Sequence, residues 1–366
     1  MKRDPGFSGR VALQQRVLPL YRAGFVDGLA DRCGGGLGLF AGSARPDEAI
    51  VAADHVRAAR WTRARNWHVL RGGAYFCYQR GLTGWLSQLD PEVLIVEANP
   101  RYLSTPRAVE WMHSRGRPVL GWGLGAPRGG ALTAWLRHRF LRGLSGVIAY
   151  STRGAGEYAA AGIPVERIYV APNAVEAPPR RMPVRRLARG RPARLIFVGR
   201  LQRRKRVDDL LAACAAASPA PEVWIVGDGP DRARLQSIAA RDFPAAVFTG
   251  SVRGEALRRL LDRADLFVLP GTGGLALQQA MARGLPVIAA QGDGSQEDMV
   301  TPDNGWLVPP ADPAALAAVV QSALSQPARL RAMGEVSFRL AHMRFHPKIM
   351  IDVFVRALRE TTAGVP

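Results

Sequence analysis

Lysine is almost missing from this chain of 366 residues: Lys2, Lys205 and Lys348 are the only three, and the rest of its 50 basic residues are arginine. Acidic residues are also scarce, 30 in all, which leaves a formal charge of +20. An arginine skew of this kind reflects composition as well as function. The net charge is still real and favours polyanions: nucleotide diphosphates, anionic lipid surfaces or nucleic acid. Cysteine is sparse too. Cys33, Cys77 and Cys214 are odd in number and far apart, which excludes a disulfide framework or a cysteine metal site and predicts small buried side chains in a reducing compartment. No apolar run approaches the roughly 18–20 residues needed to cross a bilayer, and the charged start Met1-Lys2-Arg3 has no apolar stretch behind it, so no signal peptide is expected.

What the chain has is alternation. Short apolar runs at 11–17, 37–41, 93–97, 118–122, 146–150 and 167–170 read as strands, with helical spacing between them at 21–31, 106–115 and 154–161. That order predicts α/β architecture with mainly parallel sheets. The stretch 47–89, rich in Arg, Trp and Tyr, is read as two helices around 68–71. A Pro/Arg-rich segment at 177–193 reads as a linker. Beyond it a fresh α/β unit begins, with strands at 194–198, 222–226, 247–249, 266–269 and 286–290, and three closing helices from residue 311. The predicted organisation is an acceptor-binding first domain over 1–176, a donor-binding second domain over 194–345, and a last helix over 346–366 packing back on the first domain. Ligands of such sheets bind at the carboxyl ends of the strands.

Chemistry concentrates in the second half. Leu195-Ile196-Phe197-Val198-Gly199-Arg200 is a buried strand ending in Gly and Arg, and Lys205 follows at the next helix start. Two fixed cations there can neutralise a diphosphate and stabilise it as a leaving group; the plain alternative is a solvated loop, since Arg203, Arg204 and Arg206 crowd the same segment. Val226-Gly227-Asp228-Gly229-Pro230 is a strand, glycine turn and helix start. Arg253, after a further strand, is placed to meet a base or ribose or is a surface charge. From Asp265 to Ile288 the chain reads strand, glycine loop, helix, strand. The backbone N–H groups of Gly273, Gly274 and Leu275 at the helix start can hold a phosphate or sugar, and Gln279 can reach ribose hydroxyls.

Taken in order, these segments resemble the retaining GT-B glycosyltransferases of family 4. The matching pieces are Val198-Gly199-Arg200-Leu201 with Lys205; Val226 to Pro230; Ala264 to Pro270; Gln279-Ala280-Met281-Ala282-Arg283-Gly284-Leu285-Pro286-Val287; Glu297 with Asn304-Gly305-Trp306-Leu307-Val308; and Ile163 to Val175 before the linker. The resemblance covers about residues 145 to 360 and implies two Rossmann-like doubly wound domains facing a central cleft. It implies that Arg200 and Lys205 grip the donor diphosphate. Gly271 and Gln279 fall where the family has the two glutamates of its E-x7-E motif, so both carboxylates are absent. It further implies transfer from a nucleotide-diphosphate sugar to a lipid-linked or polysaccharide acceptor in cell-surface glycan biosynthesis, with no metal or other cofactor. The competing reading is a catalytically degenerate, nucleotide-sugar-binding partner subunit. Nucleic acid is not expected as a partner, because no RNA- or DNA-binding module is present.

The first half offers fewer groups. Arg22 after the first strand, and Glu97 and Asn99 after the third, are the acceptor-side candidates, each set against an ordinary surface or packing role. His68, His113 and His138 read as surface or packing histidines. Leu132, Trp135, Leu136 and Phe140 at helical spacing among arginines, and Trp61, Trp67 and Trp85 interleaved with Arg57, Arg60, Arg63, Arg65 and Arg71, suggest peripheral contact with an anionic membrane. The expected location is therefore cytoplasmic, on the inner face of the plasma membrane.

Overall fold

A computed structural model describes residues 6–48, 50–70, 72, 75–126, 131–184 and 191–364. The chain divides into two compact units, residues 1–175 with 347–366, and residues 176–346.

The first unit holds strands β1 (Val11–Val17), β2 (Leu37–Gly42), β3 (Arg60–Val69), β4 (Phe76–Arg80), β5 (Val93–Glu97), β6 (Val119–Gly123), β7 (Gly146–Ala149) and β8 (Ile168–Val170). Its helices are α1 (Ala23–Ala30), α2 (Leu82–Leu89), α3 (Thr105–His113), α4 (Ala131–Arg142) and α5 (Thr152–Ala160). The sheet order is β4-β3-β2-β1-β5-β6-β7-β8, parallel throughout except for the β3–β4 pair. Strand alternation builds two cores, one on each face. Val11, Leu13, Val93 and Ile95 enter one, while Ala12, Leu94 and Val96 enter the other. A parallel sheet covered on both faces needs such continuous apolar strands. The terminal helix, Pro347–Ala363, lies in this unit. Phe354 packs 4.8 Å from the Phe25 ring and 4.9 Å from the Trp122 ring.

Residues 60–69 form a strand, not a helix, and fold back on β4 in antiparallel register, Trp67 opposite Tyr78 and Val69 opposite Phe76. The cause is a period of two: Arg63, Arg65, Trp67 and Val69 are exposed while Ala64 between them is buried, a pattern a helix cannot satisfy. Only after residue 81 does a helix form, and its Trp85 lies in the core, 5.0 Å from the Phe40 ring.

The second unit holds β9 (Arg194–Val198), β10 (Glu222–Val226), β11 (Ala246–Gly250), β12 (Leu266–Leu269), β13 (Val287–Ala290) and β14 (Gly305–Val308). Its helices are α6 (Val207–Ala216), α7 (Arg232–Asp242), α8 (Gly254–Arg263), α9 (Leu275–Ala282), α10 (Ser295–Met299), α11 (Pro313–Leu324) and α12 (Pro327–Met343). The all-parallel order is β11-β10-β9-β12-β13-β14. Its direction reverses between β9 and β12, the switch point at which doubly wound sheets bind ligands.

Helix α9 is anchored by Gln278, which is fully buried. Its amide accepts from Glu176 N at 3.0 Å and donates to the carbonyls of Glu176 and Phe345 at 2.7 and 2.8 Å. These bonds tie both ends of the unit to one helix. Gln278→Leu leaves those backbone groups without partners and is expected to destabilise the unit by about 2–4 kcal/mol. A urea transition shifted to lower concentration checks it; an unchanged midpoint would refute the anchoring role.

Candidate active site

The loops after β9, β10, β11, β12 and β13 are laced together by backbone. Gly199 N donates to Val226 O at 2.9 Å and Leu201 N to Asp228 O at 2.9 Å. Gly227 N donates to Gly250 O at 2.8 Å, and Thr272 N to Arg204 O at 3.3 Å. Gln296 Nε2 closes the series on Gly273 O at 3.0 Å. Two glycines make this closeness possible. Gly227 has φ +144°, and a Cβ on it would stand 2.9 Å from the Gly199 carbonyl carbon. A Cβ on Gly271 would stand 2.7 Å from both Cα and C of Lys205, and closer still to the Arg204 carbonyl oxygen. Backbone atoms cannot give way as flexible side chains do, so at Gly271 no side chain fits.

Lys205 sits at the centre of this edge. It lies in a short 3-10 turn, Arg203–Lys205, directly before α6. Its stem passes 3.8 Å from the point where a Cβ on Gly199 would stand. Its ammonium donates to the Thr272 carbonyl and lies against Gly273. Burial, and then repulsion from Arg204, push its pKa down to about 8, with Asp293 partly offsetting them. Arg204 Nη1 donates to Thr272 Oγ1 at 2.8 Å. Arg200 is half-buried on the same loop, between the two β9-to-β10 backbone bonds.

Just beyond, Gly274 is the N-cap of α9 and supplies no capping side chain, and the first turn of α9 has no acidic residue. Among the described residues, its first backbone N–H groups, Leu275 included, have no side-chain acceptor. Gly274 packs beside Ser295. Gln279 is half-buried and makes no side-chain hydrogen bond among the described residues. Lys205, Gly199, Gly271 and Gly273 thus come together. Arg253 does not join them: it is exposed at the start of α8, and its side chain makes no hydrogen bond or ion pair among the described residues. Thr272 and Gln296 escaped sequence reading because both act through contacts made across the sheet edge. Gln278 could have been found, since helix phase places it beside Leu277 and Met281 on the buried side of α9.

In the first unit, Arg22 is stacked 4.1 Å over the Trp122 ring and donates to Tyr150 Oη at 2.6 Å. Among the described residues, its Nη1 and the Trp122 Nε1 are buried without a hydrogen-bond partner. Glu97 Oε1 accepts from Arg16 N at 2.8 Å. Burial pushes the Glu97 carboxyl above its ordinary pKa, while the Tyr102 hydroxyl, the Arg16 backbone and the charges of Arg16 and Arg22 pull it back. Asn99 is spent on a local turn, its Oδ1 accepting from Arg101 N at 3.1 Å. Cys33, Cys77 and Cys214 are buried free thiols.

Two parallel Rossmann-like sheets with flanking helices, and a cationic glycine edge on the second, define the GT-B class of fold. The protein of Anabaena solved as HepE in complex with UDP has this fold: TM-score 0.73, 15% identity, 96% of this chain and 99% of that one covered. Residues 192–326 match the family model described as glycosyl transferases group 1. A GDP-mannose-dependent alpha-mannosyltransferase of Mycobacterium tuberculosis is 45% identical over 117 residues, 31% of this chain and 29% of the relative. The amylovoran biosynthesis glycosyltransferase AmsK of Erwinia amylovora is 33% identical over 175 residues, 44% of this chain and 43% of the relative. The matched stretch spans less than half the length of each of these curated relatives.

Proposed function

We propose that this chain is a retaining glycosyltransferase of the family 4 kind. It would take a sugar from a nucleotide-diphosphate donor held by the second unit and pass it to a lipid-linked or polysaccharide acceptor held by the first, in cell-surface glycan biosynthesis. The observation that carries the reading is Lys205 drawn against the Thr272-Gly273 loop beside the uncapped start of α9. A diphosphate there meets an ammonium and free backbone N–H groups at once. In the reaction the bond between the sugar's anomeric carbon and the diphosphate oxygen breaks, and the acceptor oxygen bonds to that carbon on the same face. The departing phosphate oxygen takes the acceptor's proton, so no protein base is required. Lys205 and Arg200 stabilise the charge that develops on the diphosphate, and the proposal includes no metal.

Gly271 supports a second reading, a silent nucleotide-sugar-binding subunit, because it denies the site a carboxylate that the family uses. Purified protein incubated with UDP-, GDP- and ADP-sugars separates the two. Nucleoside diphosphate release with an acceptor extract supports transfer, and a thermal shift without any release supports the silent subunit. Neither shift nor release with any donor overturns both.

Peripheral attachment to an anionic membrane is part of the proposal. No helix among the described residues is long and apolar enough to cross a membrane. On α4, Trp135 and Leu136 are exposed, 57% and 48%.

A further inference from the structure

The first unit has a cavity of about 430 Å³ beside the carboxyl end of β2. It exists because β3 outruns its neighbour. β2 pairs with β3 only over 60–64, after which β3 pairs with β4 instead. The edge of β3 left uncovered faces the Ser43–Arg45 loop, and the cavity lies between. Its chemistry comes from Arg45, Arg63, Arg65, Asn66, His68 and Ser43, and among the described residues no carboxylate lines it.

Two of these arginines are poised for an anion. Arg63 is laid 3.5 Å over the Trp61 ring and donates to the Asp54 carbonyl. Arg65 lies 6.0 Å over the Trp67 ring. Neither has a carboxylate partner among the described residues, whereas Arg45 is shared with Asp47 at 3.3 Å and Glu48 at 3.8 Å. Asn66 fixes the floor by donating to the carbonyls of Arg16 and Ser43 at 2.7 and 2.9 Å. Guanidinium forks held by aromatic stacking match the geometry of a phosphate.

The wall of this cavity continues into an apolar surface. Trp67, Val69, Leu70 and Phe76 are exposed by 47%, 46%, 62% and 37%. The cross-strand register sets Val69 beside Phe76, and Trp67 lies 6.0 Å from the Tyr78 ring. Arg45 Nη1 donates to Leu70 O at 3.4 Å, which joins the two regions. Large apolar side chains exposed together beside arginines form an amphipathic surface.

We propose that this cavity takes the phosphate end of an amphiphilic molecule, with the β3–β4 surface receiving the apolar chain attached to it. Only the assignment of that molecule as the transferase's acceptor rests on the reading above; binding itself does not.

The test is calorimetric titration of the full chain with dodecyl phosphate below its micelle concentration and, separately, with inorganic phosphate. Three variants accompany the wild type: Arg63→Gln with Arg65→Gln, Trp67→Ala, and Arg241→Gln with Arg259→Gln as a charge-matched control on the second unit. Dodecyl phosphate is expected to bind at least about tenfold more weakly to the first double variant, and unchanged to the control. Trp67→Ala should weaken dodecyl phosphate while leaving inorganic phosphate alone. Equal affinity for the two probes, with Trp67→Ala inert, would point to a water-soluble phosphate ester and overturn the amphiphile assignment. Unchanged binding in the Arg63/Arg65 variant, or equal losses in the control, would overturn the cavity altogether. A nucleoside diphosphate titrated into the same proteins reads the second unit separately. Failure there sinks the transferase reading without touching the cavity, and the reverse also holds.

Discussion

Lys205→Ala is expected to lower kcat/KM for sugar transfer by about 10²–10³-fold, the loss typical when one charge-stabilising contact is removed from a transition state. The fold should survive, because Lys205 is half-exposed and lies in a turn rather than in the core. The size of the effect follows from its position. The ammonium is held on the Thr272 carbonyl and against Gly273, so under the proposed reaction it would already stand where the diphosphate binds and would need no reorganisation. Its pKa is pushed down to about 8, which gives the reaction a pH signature. The cation is present below about pH 8 and is lost as pH rises through that value, so kcat/KM of the wild type should fall on the alkaline side. A bound diphosphate favours the charged form, so the fall in kcat itself belongs at higher pH. The Ala variant should show no such fall in this window. A wild-type profile flat to pH 10 would contradict the assignment.

The second large effect runs against intuition drawn from the family. Gly271→Glu restores the glutamate the motif lacks, yet it should destroy the site instead of improving it. Any Cβ at 271 meets the Lys205 backbone at 2.7 Å, and the loop bearing Lys205 must be displaced. Overpacking of this kind costs about 1–3 kcal/mol, or a Tm lowered by about 3–10 °C for a unit of this size. Donor binding should fall with it, because the displaced segment carries the key cation. Gly271→Ala should reproduce most of the damage, since the clash begins at Cβ. Faster transfer in the Glu variant, at unchanged Tm, would show that the loop yields easily and that the site tolerates a carboxylate.

How much of this was legible in the sequence depends on whether a feature was local. The strands of the second unit are near-continuous apolar runs and read directly. Lys205 stood out because only two other lysines accompany it. The α/β alternation of the first unit was equally plain outside residues 47–89. There the sequence was misread as helical, because arginines and aromatics obscured a period of two whose one clear sign was Ala64 between exposed arginines. Features that depend on segments meeting in space stayed hidden. Nothing in the linear order says that the Arg204 carbonyl occupies the room of a side chain at 271, or that Thr272 receives both Arg204 and Lys205. The cavity beside β2 was hidden for the same reason: it arises where β3 parts from β2, and pairing ends are not written in composition.

Under the proposed function, the second unit grips the diphosphate of its donor through Lys205 and the adjoining glycine loop. Comparing nucleoside diphosphate with nucleoside monophosphate binding, in wild type and Lys205→Ala, tests it most directly. The wild type should prefer the diphosphate by at least about tenfold, as expected for one added charge-assisted contact, and the variant should lose most of that preference. Equal preference in both proteins would contradict it.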